Sequence, residues 1–386
     1  MTENTDLSPL ITGHSDGWKR VIIKIGSALL IDKDSGQLRV DWLGGIARDV
    51  AFLRQRGYQV ILVSSGSIGL GRKILNLTMS KKLEENQAAA AVGQIELATA
   101  YRTILGKLDI PMAQILLTYG DTEERRRYLN ARNTINRLLE LGVVPVINEN
   151  DTVATDEVRY GDNDRLAARV ASMCEADCLF LLSDIDGLYT ANPHQTSPDQ
   201  TTQAELVKEV RDITPEIEAM AGAPVSTGFG SGGMVTKIAA AKIAIASGCN
   251  MVITNGTADS PIQKYFNGAA GTWFHASGNP LAAKKKWIGA SLDISGTLII
   301  DDGAVAALQS GKSLLPAGIL RVEGHYDRGD TIRVTALDGT IIGQGLSAYT
   351  AADTLKLAGH RSHEIEYILG YSGRNEIIHR NDLVIN

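Results

Sequence analysis

The 386-residue chain is poor in cysteine and in aromatic residues, and its basic residues do not outnumber its acidic ones. Its three cysteines, Cys174, Cys178 and Cys249, are odd in number and lack the spacing of a disulfide framework, which favours a reducing compartment. No histidine stands near Cys174 and Cys178 to complete a zinc site, so we interpret them as core residues. The formal net charge of −6 disfavours a general nucleic-acid binder, because such proteins need basic side chains to neutralise phosphates.

Long apolar runs are also missing. No run approaches the roughly 20 residues that a membrane-spanning helix requires. Residues 1–17 contain no lysine or arginine that could begin a secretory signal, and they are polar enough to form a disordered leader. We therefore predict a cytoplasmic protein with no membrane partner.

Strand-like and helix-like segments alternate along the first two thirds of the chain. Short apolar runs end in glycine or polar turns and are followed by segments with helical spacing. This alternation predicts an α/β fold with a mostly parallel sheet sandwiched by helices. A cluster of helix-breaking residues and lysines interrupts the pattern within 277–290, and short strands follow it. We predict a first domain at 18–276, a linker at 277–290 and a small β-barrel at 291–386.

Acidic and amide side chains concentrate after one predicted strand. The apolar run that begins at Val143 ends in the sequence NEND (148–151), and GDND (161–164) opens the next helical segment. The carboxylates in these segments repel one another unless a cation, such as a metal ion or an ammonium group, lies among them. A ligand crevice at the end of a parallel sheet has this composition, although a solvated acidic loop would have it too.

Two lysines accompany glycine-containing turns. Lys24 lies at the end of a buried-type strand just before Gly26, and Lys237 follows a glycine-rich loop that begins at Gly228. Free backbone amides, the positive end of a helix dipole and a lysine together attract phosphate. An ordinary lysine at a strand end, or a plain glycine linker, is the structural alternative. The sequence matches neither a Walker A loop nor the protein-kinase motifs.

Two further turns follow apolar strands. The first contains Ser65 and Gly66, which let a ligand approach the backbone, and the second contains Ser183 and Asp184. Each turn is also a common way to leave a strand. Phosphoryl transfer requires cations for the moving group, amides for the phosphates and carboxylates that position the cations. The sequence therefore favours phosphoryl transfer, and no Ser-His-Asp pattern or zinc spacing competes.

Taken in order, these motifs resemble those of the amino acid kinase family. The resemblance rests on VIIKIGS (21–27), VVPVINENDTVAT (143–155), SDIDGLYTANP (183–193) and GSGGMVTK (230–237), and it covers nearly the whole chain from about residue 18. The segment GTLIIDDGAVAALQSGKSLLPAGI resembles the start of a PUA domain, so the barrel at 291–386 is PUA-like. The resemblance implies ATP-dependent phosphorylation of the γ-carboxylate of L-glutamate, the first step of proline biosynthesis, with Mg²⁺.

The resemblance also implies roles for individual residues. The implied catalytic residues are Lys24 and Lys237, which would neutralise the γ-phosphoryl group, and Asp164, which would order the site. The implied glutamate-binding residues are Ser65, Asp151 and Asn163. The implied ATP-binding residues are Lys24, Ser183, Asp184, Ser231, Gly232, Gly233, Met234, Val235, Thr236 and Lys237. No residue is assigned as a direct metal ligand. Ser67 stands where alanine is usual in the family, and we expect it to crowd the glutamate turn slightly.

Two other functions stay open at this point. Another small-molecule kinase of the same fold would act on aspartate, acetylglutamate, carbamate or a nucleotide. An RNA-binding protein would act through the PUA-like domain, but from Ser291 onward 8 basic residues face 12 acidic ones, the wrong balance for phosphate contacts. The resemblance implies proline as a feedback inhibitor, and we expect a homo-oligomer.

Overall fold

The structure is a computed structural model that describes residues 18–32, 34–78, 82–154, 163–191, 204–222, 233–276, 294–371 and 373–385. The chain forms two compact units. The first contains the described residues within Met1–Thr122 and Ala131–Pro280, and the second those within Glu123–Asn130 and Leu281–Asn386. The leader predicted at 1–17 and the linker predicted at 277–290 lie outside the described residues, so the domain boundaries stay predictions.

An eight-stranded sheet forms the centre of the first unit. Its strands are β1 (Arg20–Ile25), β2 (Gln59–Ser64), β3 (Met112–Leu117), β4 (Val144–Glu149), β5 (Cys178–Ser183), β6 (Glu209–Val210), β7 (Asn250–Asn255) and β8 (Gly271–Phe274). They lie in the order β3-β4-β2-β1-β5-β7-β8-β6. Neighbouring strands are parallel except β7 and β8, which are antiparallel. The prediction of a mostly parallel sheet is confirmed, whereas β6 and β8 were not predicted.

Helices precede and follow these strands. Those between residues 27 and 266 are α1 (Ser27–Leu30), α2 (Val40–Gln55), α3 (Ser67–Ile74), α4 (Leu83–Gly106), α5 (Tyr119–Glu123), α6 (Arg125–Glu140), α7 (Asn163–Met173), α8 (Pro215–Met220), α9 (Met234–Ala246) and α10 (Pro261–Phe266). The sequence placed one long helix where the structure has α5 and α6. The helical segment predicted to open at GDND (161–164) is α7, which begins at Asn163.

The first strand shows how the two faces of the sheet differ. Successive side chains of a strand point to opposite faces. Val21, Ile23 and Ile25 join a buried core with residues of α2, α4 and α10. Ile22 and Lys24 therefore face the other side, where α7 packs on β1 and α9 packs on α7. A lysine is thus placed on a buried face at the carboxyl end of the strand, where it needs an anionic partner.

Three glycines fix the start of α3. Gly66, between β2 and α3, has a φ of +105°, in the left-handed region that favours glycine. A Cβ atom on Gly71 would overlap the backbone of Ala89 in α4, and one on Gly93 would overlap the backbone of Ser67. The two helices therefore pack at backbone contact distance, which holds Ser67 in place.

The second unit contains a five-stranded sheet. Its strands are β9 (Gly296–Ile300), β10 (Ile319–Gly324), β11 (Thr331–Ala336), β12 (Ile341–Leu346) and β13 (Leu383–Ile385), in the order β10-β9-β11-β12-β13. The accompanying helices are α11 (Asp302–Gln309), α12 (Ala351–Leu357) and α13 (Ile365–Leu369). Its own hydrophobic core includes Leu298, Ile332 and Val334. The first four strands agree with the predicted β-rich unit, whereas β13 and the helices were not predicted.

Two predictions from composition can be compared with the structure. All three cysteines are buried and free, as expected for core residues. Within the described part of the chain, no helix combines the length and apolar character needed to cross a membrane.

Candidate active site

Several parallel strands of the first unit end side by side at one edge of the sheet. β1 lies between β2 and β5, with Lys24 in register with Val63 and Leu181. Val63 is in turn in register with Ile147 of β4. From β1 the chain continues to β2 on one side, whereas the neighbour on the other side is β5, which follows β4 in the sequence. The strand order therefore reverses beside β1, and in open α/β sheets ligands bind in the crevice at such a point. The polar residues that follow these strands therefore meet in one crevice.

Lys24, Asp164 and Lys237 form a buried charge cluster in this crevice. The Nζ of Lys24 lies 2.5 Å from Oδ1 of Asp164, and the Nζ of Lys237 lies 3.0 Å from Oδ2. The three residues are 6%, 2% and 7% exposed, respectively. The structure thus brings together the three residues implied to be catalytic, which come from β1, α7 and α9. Their roles in catalysis stay predictions.

The cluster carries a net positive charge. Burial opposes ionisation of Asp164, but the charges and hydrogen bonds of Lys237 and Lys24 outweigh it and hold the pKa of this carboxyl well below its usual range. Thr236 Oγ1 donates a further hydrogen bond to Oδ2 of Asp164 at 3.2 Å. One carboxylate therefore orients two ammonium groups, and one positive charge is left for an anionic ligand.

The first turn of α9 borders the cluster. The helix begins after Gly233, and Lys237 is its fourth residue. The first N–H groups of a helix have no intrahelical partners, and the helix dipole is positive there, so this turn can bind phosphate. The described residues of the predicted ATP loop at this turn are Gly233, Met234, Val235 and Thr236. Ser231 and Gly232, also predicted to bind ATP, lie outside the described residues.

A second polar cluster lies at the end of β2. The Nδ2 of Asn163 donates to the carbonyl oxygen of Ser64 at 2.7 Å, to Ser65 Oγ at 2.8 Å and to Asn148 Oδ1 at 2.9 Å. The Oδ1 of Asn163 is buried and has no hydrogen-bond partner among the described residues. Because buried polar atoms are normally paired, this oxygen can accept a hydrogen bond from a ligand.

Asp151 lies in the turn after β4 and is 8% exposed. Its Oδ2 accepts a hydrogen bond from Ser67 Oγ at 2.9 Å, so Ser67 contacts the acid rather than merely filling space. Burial raises the pKa of Asp151 to about 6, and the hydrogen bond from Ser67 offsets burial only in part. An ammonium group against this carboxylate would supply the missing counter-charge. Asp151 can therefore bind the amino group of a ligand.

Three polar residues of this cluster were not predicted. The Nδ2 of Asn148 donates to Gln94 Oε1 at 2.7 Å, and the hydroxyl of Tyr101 lies 2.9 Å from Ser64 Oγ. Asn148 belongs to the NEND motif and could have been chosen from the sequence. Gln94 and Tyr101 lie in α4, outside every motif, and no feature of the sequence points to them.

The turn after β5 offers further polar groups. Ser183 is buried, and its Oγ donates to Asp184 Oδ1 at 3.2 Å, while Asp184 is exposed. Farther along, Asn255 at the end of β7 donates to Asp186 Oδ1 at 3.0 Å. Because β5 is the neighbour of β1, this turn lies at the same sheet edge as Lys24.

The described acidic residues of the crevice do not form a metal cage. Among the described residues, no group of three or more histidine, cysteine, aspartate or glutamate side chains could hold a metal ion. Asp164 is already shared by two lysines. Mg²⁺ commonly keeps several waters and binds through substrate phosphates. The donor set therefore fits a magnesium ion that enters with a nucleotide.

Known proteins resemble this chain along nearly its whole length. Residues 19–255 match the model of the amino acid kinase family, and residues 296–369 match that of the PUA domain. A glutamate 5-kinase of Rhizobium rhizogenes is 56% identical over 96% of this chain and 94% of its own. Glutamate 5-kinases of Cereibacter sphaeroides and Paramagnetospirillum magneticum are 56% and 54% identical over 95% of this chain, and 97% and 98% of their own.

Among solved structures, UMP kinase from Ureaplasma parvum matches with a TM-score of 0.46 and 16% identity, over 67% of this chain and 99% of its own. The family assignment rests on the sequence relatives, because their identity to this chain is high and extends through both matched regions. The chain belongs to the amino acid kinase family, in its glutamate 5-kinase branch.

Proposed function

We propose that this protein transfers the γ-phosphoryl group of ATP to the γ-carboxylate of L-glutamate, giving L-glutamyl 5-phosphate in the first step of proline biosynthesis. The names of the relatives support the substrate. The buried Lys24–Asp164–Lys237 cluster carries the chemistry. This cluster lies at the same sheet edge as Asp151 and Asn163. Cations that can bind a phosphoryl group therefore lie next to polar groups that can bind an amino acid.

The polar cluster at β2 and β4 supplies the glutamate subsite. Asp151 receives the α-ammonium group, and the unpaired Oδ1 of Asn163 accepts a second N–H of that group. Ser65 Oγ accepts its hydrogen bond from Asn163, so its own hydrogen is free to donate to a carboxylate oxygen of the substrate. Together these groups orient glutamate for attack.

The substrate supplies its own nucleophile. A γ-carboxylate oxygen, ionised at neutral pH, attacks the γ-phosphorus, and the bond from that phosphorus to the β–γ bridging oxygen breaks, releasing ADP. No general base is needed, since no proton is removed. Lys24 and Lys237 neutralise the charge on the transferring oxygens, and Asp164 holds both ammonium groups without exchanging a proton itself.

The nucleotide subsite is formed by the first turn of α9 and the turn after β5. The helix start and Lys237 bind phosphate oxygens, and Ser183 and Asp184 bind farther along the nucleotide. We propose that Mg²⁺ arrives as the MgATP complex, where it neutralises phosphate charge. A location in the cytoplasm is proposed as well, supported by three buried free cysteines. The homo-oligomer stays a prediction.

A steady-state assay of ADP release with MgATP and a panel of acceptors tests this function. L-glutamate should give the highest kcat/KM, ahead of aspartate, N-acetylglutamate, carbamate and nucleoside monophosphates. A higher value with any other acceptor would instead assign the chain to another kinase of the same fold.

We expect Asp151→Asn and Asn163→Ala to raise the KM for glutamate about 10-fold or more, with a smaller effect on the KM for ATP. Each change removes a side-chain group that binds the substrate's amino group. This contact stabilises the ground state and the transition state equally, so its loss raises KM rather than lowering kcat. Initial rates at varied glutamate and varied ATP separate the two constants. A loss of ATP affinity with unchanged glutamate affinity would show that the two subsites are interchanged.

The free energy of unfolding shows whether Asp151→Asn affects stability as well as binding. The raised pKa of Asp151 means that its ionised form costs stability in the ligand-free protein above about pH 6. Asparagine keeps the shape and removes that charge, so the free energy of unfolding at pH 8 should stay equal or rise. A weaker glutamate affinity in an equally stable protein therefore reports on binding.

We also expect L-proline to inhibit competitively against glutamate. The ammonium partner Asp151 accepts any α-amino acid that fits the subsite, and the family resemblance implies this feedback. Initial rates at several glutamate concentrations, with proline from zero to millimolar, measure the pattern. Unchanged rates throughout would show that this chain lacks the regulation.

A further inference from the structure

Ser67 occupies a bridging position in the glutamate subsite. It is the first residue of α3 and is 2% exposed. Its Oγ donates to Asp151 Oδ2 at 2.9 Å and lies 3.5 Å from the Nδ2 of Asn148, which donates to it. A single hydroxyl therefore connects the end of β4 to the turn that carries the predicted partner of the amino group.

The direction of the Ser67 hydroxyl is fixed by its neighbours. Oδ1 of Asn148 accepts hydrogen bonds from the backbone N–H of Glu149 and from Asn163 Nδ2, each at 2.9 Å. A backbone N–H can only donate, so the amide nitrogen of Asn148 must face Gln94 and Ser67. Ser67 Oγ meets a donor on that side, and its one hydrogen is directed to Asp151.

The backbone that carries this hydroxyl has little freedom to move. Gly66 adopts the left-handed conformation directly before Ser67. The backbone of Ser67 packs against Gly93 so closely that a Cβ atom there would overlap it. A side chain on such a rigid helix start can hold a neighbouring group within a narrow range of positions.

The hydrogen bond from Ser67 also affects the ionisation of Asp151. Burial raises the pKa of Asp151, and the hydrogen bond from Ser67 is the influence that lowers it. Ser67 therefore favours the ionised carboxylate.

We propose that Ser67 is a positioning residue for glutamate: its hydroxyl holds the Asp151 carboxylate in the orientation that receives the substrate's α-ammonium group. The proposal rests on the function proposed above, because it assumes that Asp151 binds this group. Ser67 itself needs no contact with the substrate. It acts through Asp151, and removing its hydroxyl should weaken glutamate binding without removing any group from the phosphoryl-transfer site.

The test compares the full-length wild type with Ser67→Ala and Ser67→Cys. Cysteine keeps approximately the volume of serine but is a weak hydrogen-bond donor, so it separates hydrogen bonding from packing. In both variants we expect the KM for glutamate at pH 7 to rise on the order of 10-fold, with kcat and the KM for ATP changed less than about twofold. A Ser67→Cys protein with wild-type KM would overturn the proposal, since packing alone would then suffice.

The pH dependence of kcat/KM for glutamate is a second measurement, which a loss of packing alone would not change. In the wild type, kcat/KM for glutamate should fall as the pH drops through about 6, where Asp151 becomes protonated. Both variants lose the hydrogen bond that stabilises the ionised form of Asp151. The pH at which kcat/KM falls should therefore rise by about one pH unit in both. If kcat/KM fell at the same pH in the variants as in the wild type, Ser67 would not act through Asp151.

A double-mutant cycle separates this proposal from the proposed function. If Ser67 acts through Asp151, adding Ser67→Ala to Asp151→Asn should raise the KM for glutamate by less than about twofold further. An equal increase in both backgrounds would overturn the positioning role. If Asp151→Asn alone left the KM unchanged, the assignment of Asp151 in the proposed function would fail. A raised KM in Asp151→Asn with a wild-type Ser67→Ala would refute the Ser67 proposal alone.

Discussion

Replacement of Lys24 or Lys237 by alanine is expected to lower kcat about 10²–10³-fold, by analogy with the loss of one donor from an oxyanion site. Each variant removes one of the two cations that contact Asp164 and face the phosphate-binding turn. The remaining lysine still pairs with Asp164, so the fold should persist. Steady-state kinetics at saturating glutamate and ATP, with circular dichroism of each variant, measure both effects.

Lys242 provides a matched control for these variants. It lies in the same helix as Lys237, but it is about half exposed and pairs with Glu218 at 2.7 Å. Exposed ion pairs contribute little to the free energy of unfolding, so Lys242→Ala should keep wild-type stability. Because Lys242 does not contact the Asp164 cluster, turnover should also stay at the wild-type value. Near-wild-type turnover in Lys24→Ala or Lys237→Ala would remove that lysine from the mechanism.

The second large effect is expected for Asp164→Asn, which should lower the free energy of unfolding by about 3–5 kcal/mol at pH 7. The change leaves two buried ammonium groups beside a neutral amide, and an uncompensated buried charge is costly. It should also reduce kcat strongly, because the lysines lose the group that orients them. Urea unfolding and steady-state kinetics measure the two losses.

The pH dependence of that stability loss has a defined sign. The folded-state pKa of Asp164 is depressed below its unfolded value of 3.8, so its stabilising contribution is present above about pH 4 and is lost as the pH falls further. The difference between wild type and Asp164→Asn should therefore be constant between about pH 5 and pH 7 and shrink below about pH 4. Asp259→Asn is the control, because Asp259 is exposed and pairs with Arg48 at the surface. A difference that grew on acidification would contradict the charge cluster.

The sequence predicted the sheet because local patterns determined it, whereas the family resemblance implied the main site residues, whose roles stay predictions. Lys24 follows three apolar residues of a buried strand, and Asp164 stands at the start of a helix where an acid is favourable. Lys237 follows glycines at the start of α9. Both lysines could therefore be assigned to phosphate-type turns, whereas the role of Asp164 was implied by the family resemblance. That one carboxylate holds both lysines could not be derived, since it depends on how α7 and α9 pack together.

Other parts of the site depend on contacts that have no local pattern. Gln94 and Tyr101 reach the glutamate subsite because Gly71 and Gly93 let α4 approach α3, a long-range packing effect. Ser67 looked like a small change in a tight turn, and its hydrogen bond to Asp151 depends on the turn after β4, more than 80 residues away. The antiparallel β8 was missed because its four residues are too few to show an alternating pattern, and its position depends on pairing with β7.

The most direct test of the central claim follows an oxygen atom from glutamate into phosphate. L-glutamate labelled with ¹⁸O in both oxygens of the γ-carboxylate is incubated with the enzyme, MgATP and hydroxylamine. The acyl carbon of the product is trapped as the hydroxamate, and phosphate leaves with the bridging oxygen. If the γ-carboxylate attacks the γ-phosphorus, mass spectrometry of the released phosphate should show one ¹⁸O for each hydroxamate formed. Unlabelled phosphate, released with ADP in the presence of labelled glutamate, would show that water or another acceptor takes the phosphoryl group and would contradict the proposed reaction.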